Sequence, residues 1–121
     1  MKWILKKTFR FEASHQLPNH DGKCARLHGH SWVGRIEVKG KVLHQSGPKI
    51  GMVIDYADIS KPINSLLASH LDHYHLNDSL NLQDPTSEEV ARWILNHLVI
   101  AGLQVTAVEI EETCTSWCRY E

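Results

Sequence analysis

The amino-acid sequence predicts an α+β domain in which an antiparallel sheet of four strands carries two helices on one face. Near both ends of the chain apolar residues alternate with polar ones, which is the pattern of a half-buried strand. In the middle, apolar residues recur every three or four positions, which is the pattern of an amphipathic helix. The predicted order is β-β-α-α-β-β, and the hairpin-like pair at each end favours an antiparallel sheet.

The two N-terminal strands are predicted from the parity of their apolar residues. In the first strand, which extends to about Ser14, odd positions carry most of the apolar side chains: Trp3, Leu5, Phe9, Phe11 and Ala13. In the second strand, over 31–42, one parity carries Trp32, Ile36 and Val38. The segment 44–51, HQSGPKIG, contains glycine and proline and predicts a turn.

The two helices are predicted from apolar spacing and from residues suited to helix ends. The first is expected to begin near Ser60, so that Pro62 lies in the first turn, where its missing N–H costs least. The second has Thr86 and Glu89 in capping-box spacing, followed by an apolar stripe. Its stripe consists of Val90, Trp93, Ile94, His97 and Leu98.

Composition limits the possible functions. A chain of 121 residues is expected to form a single domain, 1–121. The net charge of -1 provides no basic field that would recruit nucleic acid or an anionic membrane surface. No apolar run approaches the roughly 20 residues that a membrane span requires. The three cysteines are too few and odd in number for a disulfide framework, so free thiols in a reducing cytoplasm are expected.

Nine histidines are an unusual number for a domain of this size. His28 and His30 are two residues apart in an extended segment, so both side chains point to the same side. His15, at the end of the first strand, can join them if the first two strands pair. Three neutral imidazoles with one open position are typical of catalytic zinc. The alternative is that His28 and His30 are exposed loop residues.

Two further groups could move protons. Cys24 could be a fourth metal ligand, a buried apolar residue or a proton acceptor, and its polar, glycine-containing loop favours the last. Asp72 precedes His73, and a carboxylate beside an imidazole can orient the ring in a proton relay. Without further information, a solvated loop is the more frequent explanation of such a segment.

The C-terminal strands, predicted over 103–112 and 116–120, complete the sheet. Alternation places Glu112 on the face opposite Glu111. A carboxylate at that position could hold an amidine-like N–H edge of a ligand through two parallel hydrogen bonds. The alternative is a charged, exposed strand edge. The remaining two cysteines, Cys114 and Cys118, are expected to be structural.

Six segments resemble, in the same order, motifs of the 6-pyruvoyltetrahydropterin synthase family: FEASHQL, CARLHGHSW, VIDYADI, LDHYHLND, PTSEEVARWI and EETCTSWC. The resemblance extends from about Phe9 to Tyr120. The C-x-x-x-H-G-H spacing from Cys24 to His30 is similar to the bacterial branch, the 6-carboxy-5,6,7,8-tetrahydropterin synthases of queuosine biosynthesis. Relatives in folate synthesis carry a glutamate in this loop, where this chain has Ala25.

The resemblance implies a tunnelling fold whose subunits join their sheets in rings, as a hexameric dimer of trimers. It also implies Zn²⁺ bound by His15, His28 and His30. Further roles that it implies are Cys24 as proton acceptor, His73 with Asp72 as a relay from a neighbouring subunit, and Glu112, followed by Thr113, at the pterin ring.

The implied substrate is 7,8-dihydroneopterin triphosphate, and the implied products are 6-carboxy-5,6,7,8-tetrahydropterin, acetaldehyde and triphosphate. Two alternatives stay open: a synthase that retains the side chain as a pyruvoyl group, and a non-enzymatic zinc-binding module in which Cys24 is the fourth ligand. Lys23 and Arg26 are the basic residues nearest to the site in sequence. They either contact the triphosphate or belong to a solvated loop.

Overall fold

The structure, a computed structural model that describes residues 1–121, is built on a five-stranded sheet. The strands are β1 (Trp3–His15), β2 (His28–Gly40), β3 (Tyr74–His75), β4 (Ala107–Thr113) and β5 (Ser116–Tyr120). They lie in the order β3-β1-β2-β4-β5. Strands β1, β2, β4 and β5 pair antiparallel and form the predicted sheet. The sheet as a whole is mixed, because a short extended connection, β3, pairs parallel with β1.

Three helices pack on the face of the sheet that carries its apolar side chains. They are α1 (Tyr56–Leu66), which continues through a π-helical turn at Leu67–Leu71, the single-turn α2 (Leu76–Ser79) and α3 (Ser87–Ile100). The core between sheet and helices contains fully buried side chains from both layers, among them Trp32, Ile36, Ile59, Ile94 and Leu98. No helix is long enough and apolar enough to span a membrane.

Helix α1 begins earlier than predicted. It begins at Tyr56 rather than near Ser60, so Pro62 lies inside the helix and not in its first turn. The Asp55 side chain caps the helix by accepting a hydrogen bond of 2.9 Å from the backbone N–H of Ala57. This cap, together with the burial of one helix face, offsets the single backbone hydrogen bond that a proline cannot donate.

The predicted ends of helix α3 are confirmed. The hydroxyl of Thr86 accepts a hydrogen bond of 3.2 Å from the backbone N–H of Glu89, as capping-box spacing requires. Just beyond the helix, Gly102 has a φ of 95°, a conformation that favours glycine. The predicted stripe contacts the core through its three fully buried members, Val90, Ile94 and Leu98.

The pairing of β1 with β2 positions the candidate site. The two strands pair without a bulge over their whole length, from Trp3 opposite Gly40 to His15 opposite His28. Residues that share a parity with Phe11 on β1 therefore face the helices, and their partners on β2 do so as well. The last residues of this ladder on the helix-facing side are histidines.

The opposite face of the sheet carries a cluster of ionic groups. The carboxylate of Glu37, whose side chain is only 5% exposed, accepts hydrogen bonds of 2.7 and 2.8 Å from the Arg119 guanidinium. Lys6 and Lys39 lie 3.6 and 3.7 Å from the same carboxylate, and Glu109 lies 3.1 Å from Arg119. The hydrogen bonds from Arg119 hold the pKa of Glu37 below its usual value, and burial opposes this shift.

Candidate active site

Three imidazoles converge where the β1–β2 ladder ends. His15 and His28 are paired residues, and His30 is paired with Ala13 one step back along the same face. One ring nitrogen from each of the three histidines lies within 4.8 Å of the other two. His15 is completely buried, whereas His28 and His30 are half-buried. The structure thus brings together the three histidines that the sequence singled out.

Two backbone carbonyls orient these rings. His15 Nδ1 lies 2.8 Å from the carbonyl oxygen of Pro85, and His28 Nδ1 lies 2.7 Å from that of Arg26. A carbonyl oxygen only accepts hydrogen bonds, so both Nδ1 atoms carry the proton. In the neutral rings the lone pair is then on Nε2, the tautomer in which histidine binds a metal ion through that atom.

The carboxylate of Glu112 lies against these rings. Its Oε1 is 3.1 Å from Nε2 of His15 and 3.5 Å from Nε2 of His30, and both nitrogens are buried without a hydrogen-bond partner. Contact with His15 lowers the pKa of Glu112, burial opposes this shift, and the neighbouring His30 lowers the pKa further. Burial lowers the pKa of His30, which favours its neutral form. Acceptor atoms therefore face one another around a point where a cation would satisfy all of them.

The residues present fit a metal ion. Three neutral imidazole nitrogens are the protein ligands of a catalytic zinc site, which keeps one position open for water or substrate. Each imidazole ligand of such a site usually has its other ring nitrogen bonded to a carbonyl or carboxylate, as His15 and His28 do. The cluster can therefore hold a metal ion.

Cys24 lies beside the metal-binding cluster. It is half-buried in a single 3₁₀ turn, Lys23–Ala25, and its carbonyl accepts a hydrogen bond of 2.9 Å from the backbone N–H of Leu17. A cavity of about 500 Å³ is lined by Cys24 together with Lys23, Arg26, Leu27, His28, His30, Glu112 and Thr113. The predicted proton acceptor, two of the predicted metal ligands and both predicted pterin-binding residues therefore share one cavity, which we call the cysteine cavity.

Asp72 and His73 form a pair, but they lie elsewhere in the chain. His73 Nδ1 is 3.1 Å from Oδ1 of Asp72, and that oxygen accepts a hydrogen bond of 3.0 Å from the backbone N–H of Glu12. The bond from Glu12 lowers the pKa of Asp72, and His73 adds to the shift. His73 has a φ of 66°, an uncommon conformation for a non-glycine residue, and its side chain is 79% exposed.

His73 lines a second cavity, of about 470 Å³, on the β1–β3 side of the sheet. This cavity, which we call the edge cavity, contains no lysine or arginine; its polar side chains are Glu12, Ser14, His30, Ser31, His73 and His75. His30 is the one residue that lines both cavities. Within one chain, the Asp72–His73 pair and Cys24 therefore do not share a cavity.

Several site features were not found from the sequence. The carbonyls of Pro85 and Arg26 carry no local signal, because any residue supplies a carbonyl and only the fold brings it to a histidine. The hydrogen bond of 3.0 Å between Ser14 Oγ and His75 Nδ1 depends in the same way on β1–β3 pairing.

All three cysteines are free, and burial raises the pKa of Cys118.

A second histidine cluster does not converge on a point. His97 stacks on Trp93 with ring centroids 3.7 Å apart, and His70 packs against the same indole at 5.2 Å. The two imidazole centroids are 6.4 Å apart. These rings make aromatic contacts with the indole, in contrast to the three histidines at the end of the β1–β2 ladder.

Comparisons with known proteins agree with the geometry. A profile of the 6-pyruvoyl tetrahydropterin synthase family matches residues 4–121. The 6-carboxy-5,6,7,8-tetrahydropterin synthase of Synechocystis sp. is 51% identical over 119 residues, which cover 98% of this chain and 92% of that protein. The enzyme of the same name from Haemophilus influenzae is 32% identical over 138 residues and covers 97% of each chain.

Solved structures show the same fold. The 6-pyruvoyl tetrahydropterin synthase of Caenorhabditis elegans superposes with a TM-score of 0.85 at 27% identity, covering 100% of this chain and 96% of that one. The Plasmodium falciparum protein of that name has a TM-score of 0.72 at 18% identity, covering 98% and 96% of the two chains. The predicted tunnelling fold is confirmed. The chain belongs to the 6-pyruvoyl tetrahydropterin synthase family of enzymes.

Proposed function

We propose that this chain is a zinc-dependent 6-carboxy-5,6,7,8-tetrahydropterin synthase of queuosine biosynthesis. It converts 7,8-dihydroneopterin triphosphate and one water molecule to 6-carboxy-5,6,7,8-tetrahydropterin, acetaldehyde and triphosphate. The observation that carries this proposal is the convergence of three imidazoles on one cavity with Cys24 and Glu112. The names of the Synechocystis and Haemophilus relatives support the choice of product. Three free thiols agree with a reducing cytoplasm as the location.

The roles of the residues follow from their chemistry. His15, His28 and His30 would hold Zn²⁺, which would supply a Lewis acid that polarises oxygens of the substrate side chain and acidifies its hydroxyl groups. Cys24 removes protons from that side chain and returns them, because its thiol lies in the same cavity as two of the ligands. Glu112 accepts hydrogen bonds from the 2-amino group and N3–H of the pterin, and the adjacent Thr113 lines the same binding surface.

The proton relay to Cys24 comes from a second copy of the chain. His73 lines the edge cavity, with Asp72 Oδ1 3.1 Å from its Nδ1, and the His73 side chain is largely exposed, so it is available to a neighbouring subunit. The sheet ends in two edge strands, β3 and β5, along which further copies can pair. We therefore propose an oligomer, a dimer of trimers, with active sites at its subunit interfaces.

Subunit mixing tests the shared site. Cys24→Ala and His73→Ala are each expected to lack turnover alone. After the two proteins are dissociated together and reassembled, mixed interfaces that contain an intact Cys24 and an intact His73 are expected to restore part of it. Restored activity supports a site built from two chains. If mixing restores nothing although hybrid oligomers form, the relay acts within one chain or does not exist.

Product analysis tests the reaction itself. Zinc-loaded protein is incubated without oxygen with 7,8-dihydroneopterin triphosphate, and the products are identified by mass spectrometry, with Cys24→Ala in parallel. Formation of 6-carboxytetrahydropterin and acetaldehyde only with intact Cys24 supports both the reaction and the role of Cys24. A pyruvoyl product replaces the proposed branch with the alternative synthase. If neither protein turns over while both bind zinc, the zinc-binding module is the better description.

A further inference from the structure

We propose that Lys23 and Arg26 form the subsite that binds the polyphosphate chain of the substrate, an inference that rests on the proposed function for the identity of its ligand. A triphosphate carries several negative charges, and a protein with a net charge of -1 has no overall field that would attract it. Cations close to the reacting atoms must supply that attraction.

Of the two cavities beside the histidine cluster, one is lined by cationic side chains. Two cavities adjoin the histidine cluster, and the edge cavity contains no lysine or arginine. The cysteine cavity contains two such residues, Lys23 and Arg26. Both are exposed, and neither forms a salt bridge within the chain, so their charges are available to a ligand. A guanidinium is also suited to bidentate contact with a phosphate group.

Two different elements line the cysteine cavity with charges of opposite sign. Strand β4 supplies the carboxylate of Glu112, while the loop before β2 supplies Lys23 and Arg26. A ligand with hydrogen-bond donors at one end and negative charges at the other matches this polarity. A pterin ring presents its N–H edge to Glu112 in the proposed reaction, so its phosphate chain extends to the loop that carries both cations and Cys24.

The loop holds these cations in a fixed backbone conformation. The backbone N–H of Arg26 donates to the carbonyl of Lys23 at 3.1 Å, and that of Ala25 donates to Gly22 at 3.2 Å. The carbonyl of Arg26 accepts the hydrogen bond of 2.7 Å from His28 Nδ1. The phosphate subsite is thus attached directly to a metal ligand. A preformed backbone reduces the entropy that is lost when the ligand binds.

A pair of unreactive ligands isolates the phosphate contacts. Neopterin triphosphate and neopterin, the oxidised pterins, differ only in the phosphates, so the ratio of their dissociation constants reports those contacts alone. Calorimetric titration of zinc-loaded wild-type protein is expected to show at least about tenfold tighter binding of the triphosphate. In the double variant Lys23→Gln, Arg26→Gln the ratio is expected to fall toward one.

Two controls separate local from general effects. Lys41→Gln removes an exposed lysine that lines neither cavity and is expected to retain the wild-type ratio. Zinc content, measured for every variant, is expected to stay unchanged, because glutamine at position 26 retains the carbonyl that orients His28. A double variant with full zinc content and the wild-type ratio overturns the subsite.

The proposed function can fail separately from the subsite. If the wild-type protein neither binds neopterin nor turns over the dihydropterin, the proposed function fails. The subsite is then decided with inorganic tripolyphosphate alone. Binding by the wild type that is lost in the double variant and kept in Lys41→Gln supports a polyphosphate site. Equal binding by all three proteins overturns it.

Discussion

Glu37 and Glu112 lie in one sheet, but on opposite faces and in opposite surroundings. Glu37 meets the guanidinium of Arg119 through two hydrogen bonds of 2.7 and 2.8 Å. Glu112 instead meets the ring nitrogens of His15 and His30, at 3.1 and 3.5 Å, and neither nitrogen makes a hydrogen bond. Every charge around Glu37 is balanced by another group of the same chain, whereas no lysine or arginine forms a salt bridge with Glu112.

This difference separates structural polar groups from functional ones. A buried carboxylate is tolerated when cations and donors of the protein surround it, and such a cluster needs nothing from outside. The Glu112 carboxylate is 29% exposed and faces imidazole nitrogens rather than cationic side chains, an arrangement that a bound cation would stabilise. The local charge balance therefore indicates which of two polar clusters is a site, and the following four predictions test this distinction.

The largest effect is expected when the cluster of His15, His28 and His30 loses one of its imidazoles. His28→Ala removes one of the three proposed zinc ligands, so zinc is expected to fall from about one ion per chain to a trace. Turnover is expected to fall at least about 1000-fold, because the Lewis acid is lost. Elemental analysis and product formation measure the two effects. His97→Ala, which removes the imidazole stacked on Trp93, is the control and should retain zinc. Stoichiometric zinc in His28→Ala would contradict the assigned ligands.

Breaking the ionic cluster around Glu37 should lower stability and leave metal binding intact. Arg119→Met leaves Glu37 buried without its main partner, although Lys6 and Lys39 remain near it. The free energy of unfolding is expected to fall by about 2 kcal/mol, less than for a fully buried pair because the Arg119 side chain is 25% exposed. Urea unfolding at fixed protein concentration measures this loss. A variant as stable as the wild type would show that the cluster contributes nothing.

The contribution of Glu37 should also depend on pH. Its folded-state pKa is lowered by Arg119, so its stabilisation is complete above the ordinary pKa of 4.5. The stabilisation is lost as the pH falls through the lower pKa of the folded protein. Glu37→Gln is expected to cost about 1.5 kcal/mol at pH 7 and progressively less below pH 4.5. Urea unfolding over this pH range measures the difference, and a pH-independent cost would contradict the assignment.

The same substitution at Glu112 is expected to have the smallest effect on stability, and the opposite sign. In metal-free protein, the amide of Glu112→Gln can donate an N–H to the lone pair on Nε2 of His15, which a carboxylate cannot do. The free energy of unfolding is therefore expected to rise by up to about 1 kcal/mol. Urea unfolding in the presence of a chelator measures the change, with Glu111→Gln on the opposite face as control. A clear loss of stability would place Glu112 among the structural carboxylates.

Strand alternation predicted on which face the three histidines and Glu112 lie, but it carries no information on Cys24, Asp72 or His73, which lie outside regular strands. Because β1 and β2 pair without a bulge, parity alone places His15, His28 and His30 on one side. The same rule separates Glu112 from Glu111 on β4, and only the former lines the cysteine cavity. These predictions depend on the local period of the chain, which tertiary contacts do not alter within a regular strand.

Features that depend on non-local contacts could not be predicted in this way. The strand β3 is two residues long and exists only because β1 offers an unpaired edge. The positive φ of His73 accompanies its hydrogen bond of 2.6 Å to the carbonyl of Glu12, 61 residues away in sequence number. The early start of α1 has a different cause, because the Asp55 side chain caps the helix ahead of the predicted start near Ser60. Burial of the helix face proved stronger than the cost of one proline.

The three histidines lie on the paired strands β1 and β2, whereas Cys24 lies in the loop that joins these strands. His15 and His28 are the last paired residues, so residues 16–27 form a connecting loop. The length of this loop does not set the spacing of the imidazoles, which strand pairing fixes. Insertions into such a loop are tolerated at small entropic cost. The loop that carries Cys24, the proposed proton acceptor, could therefore be exchanged as a unit, provided that the carbonyl at position 26 still orients His28. For protein engineering, residues 16–27 are therefore a suitable segment in which to introduce new reactive side chains beside the three histidines.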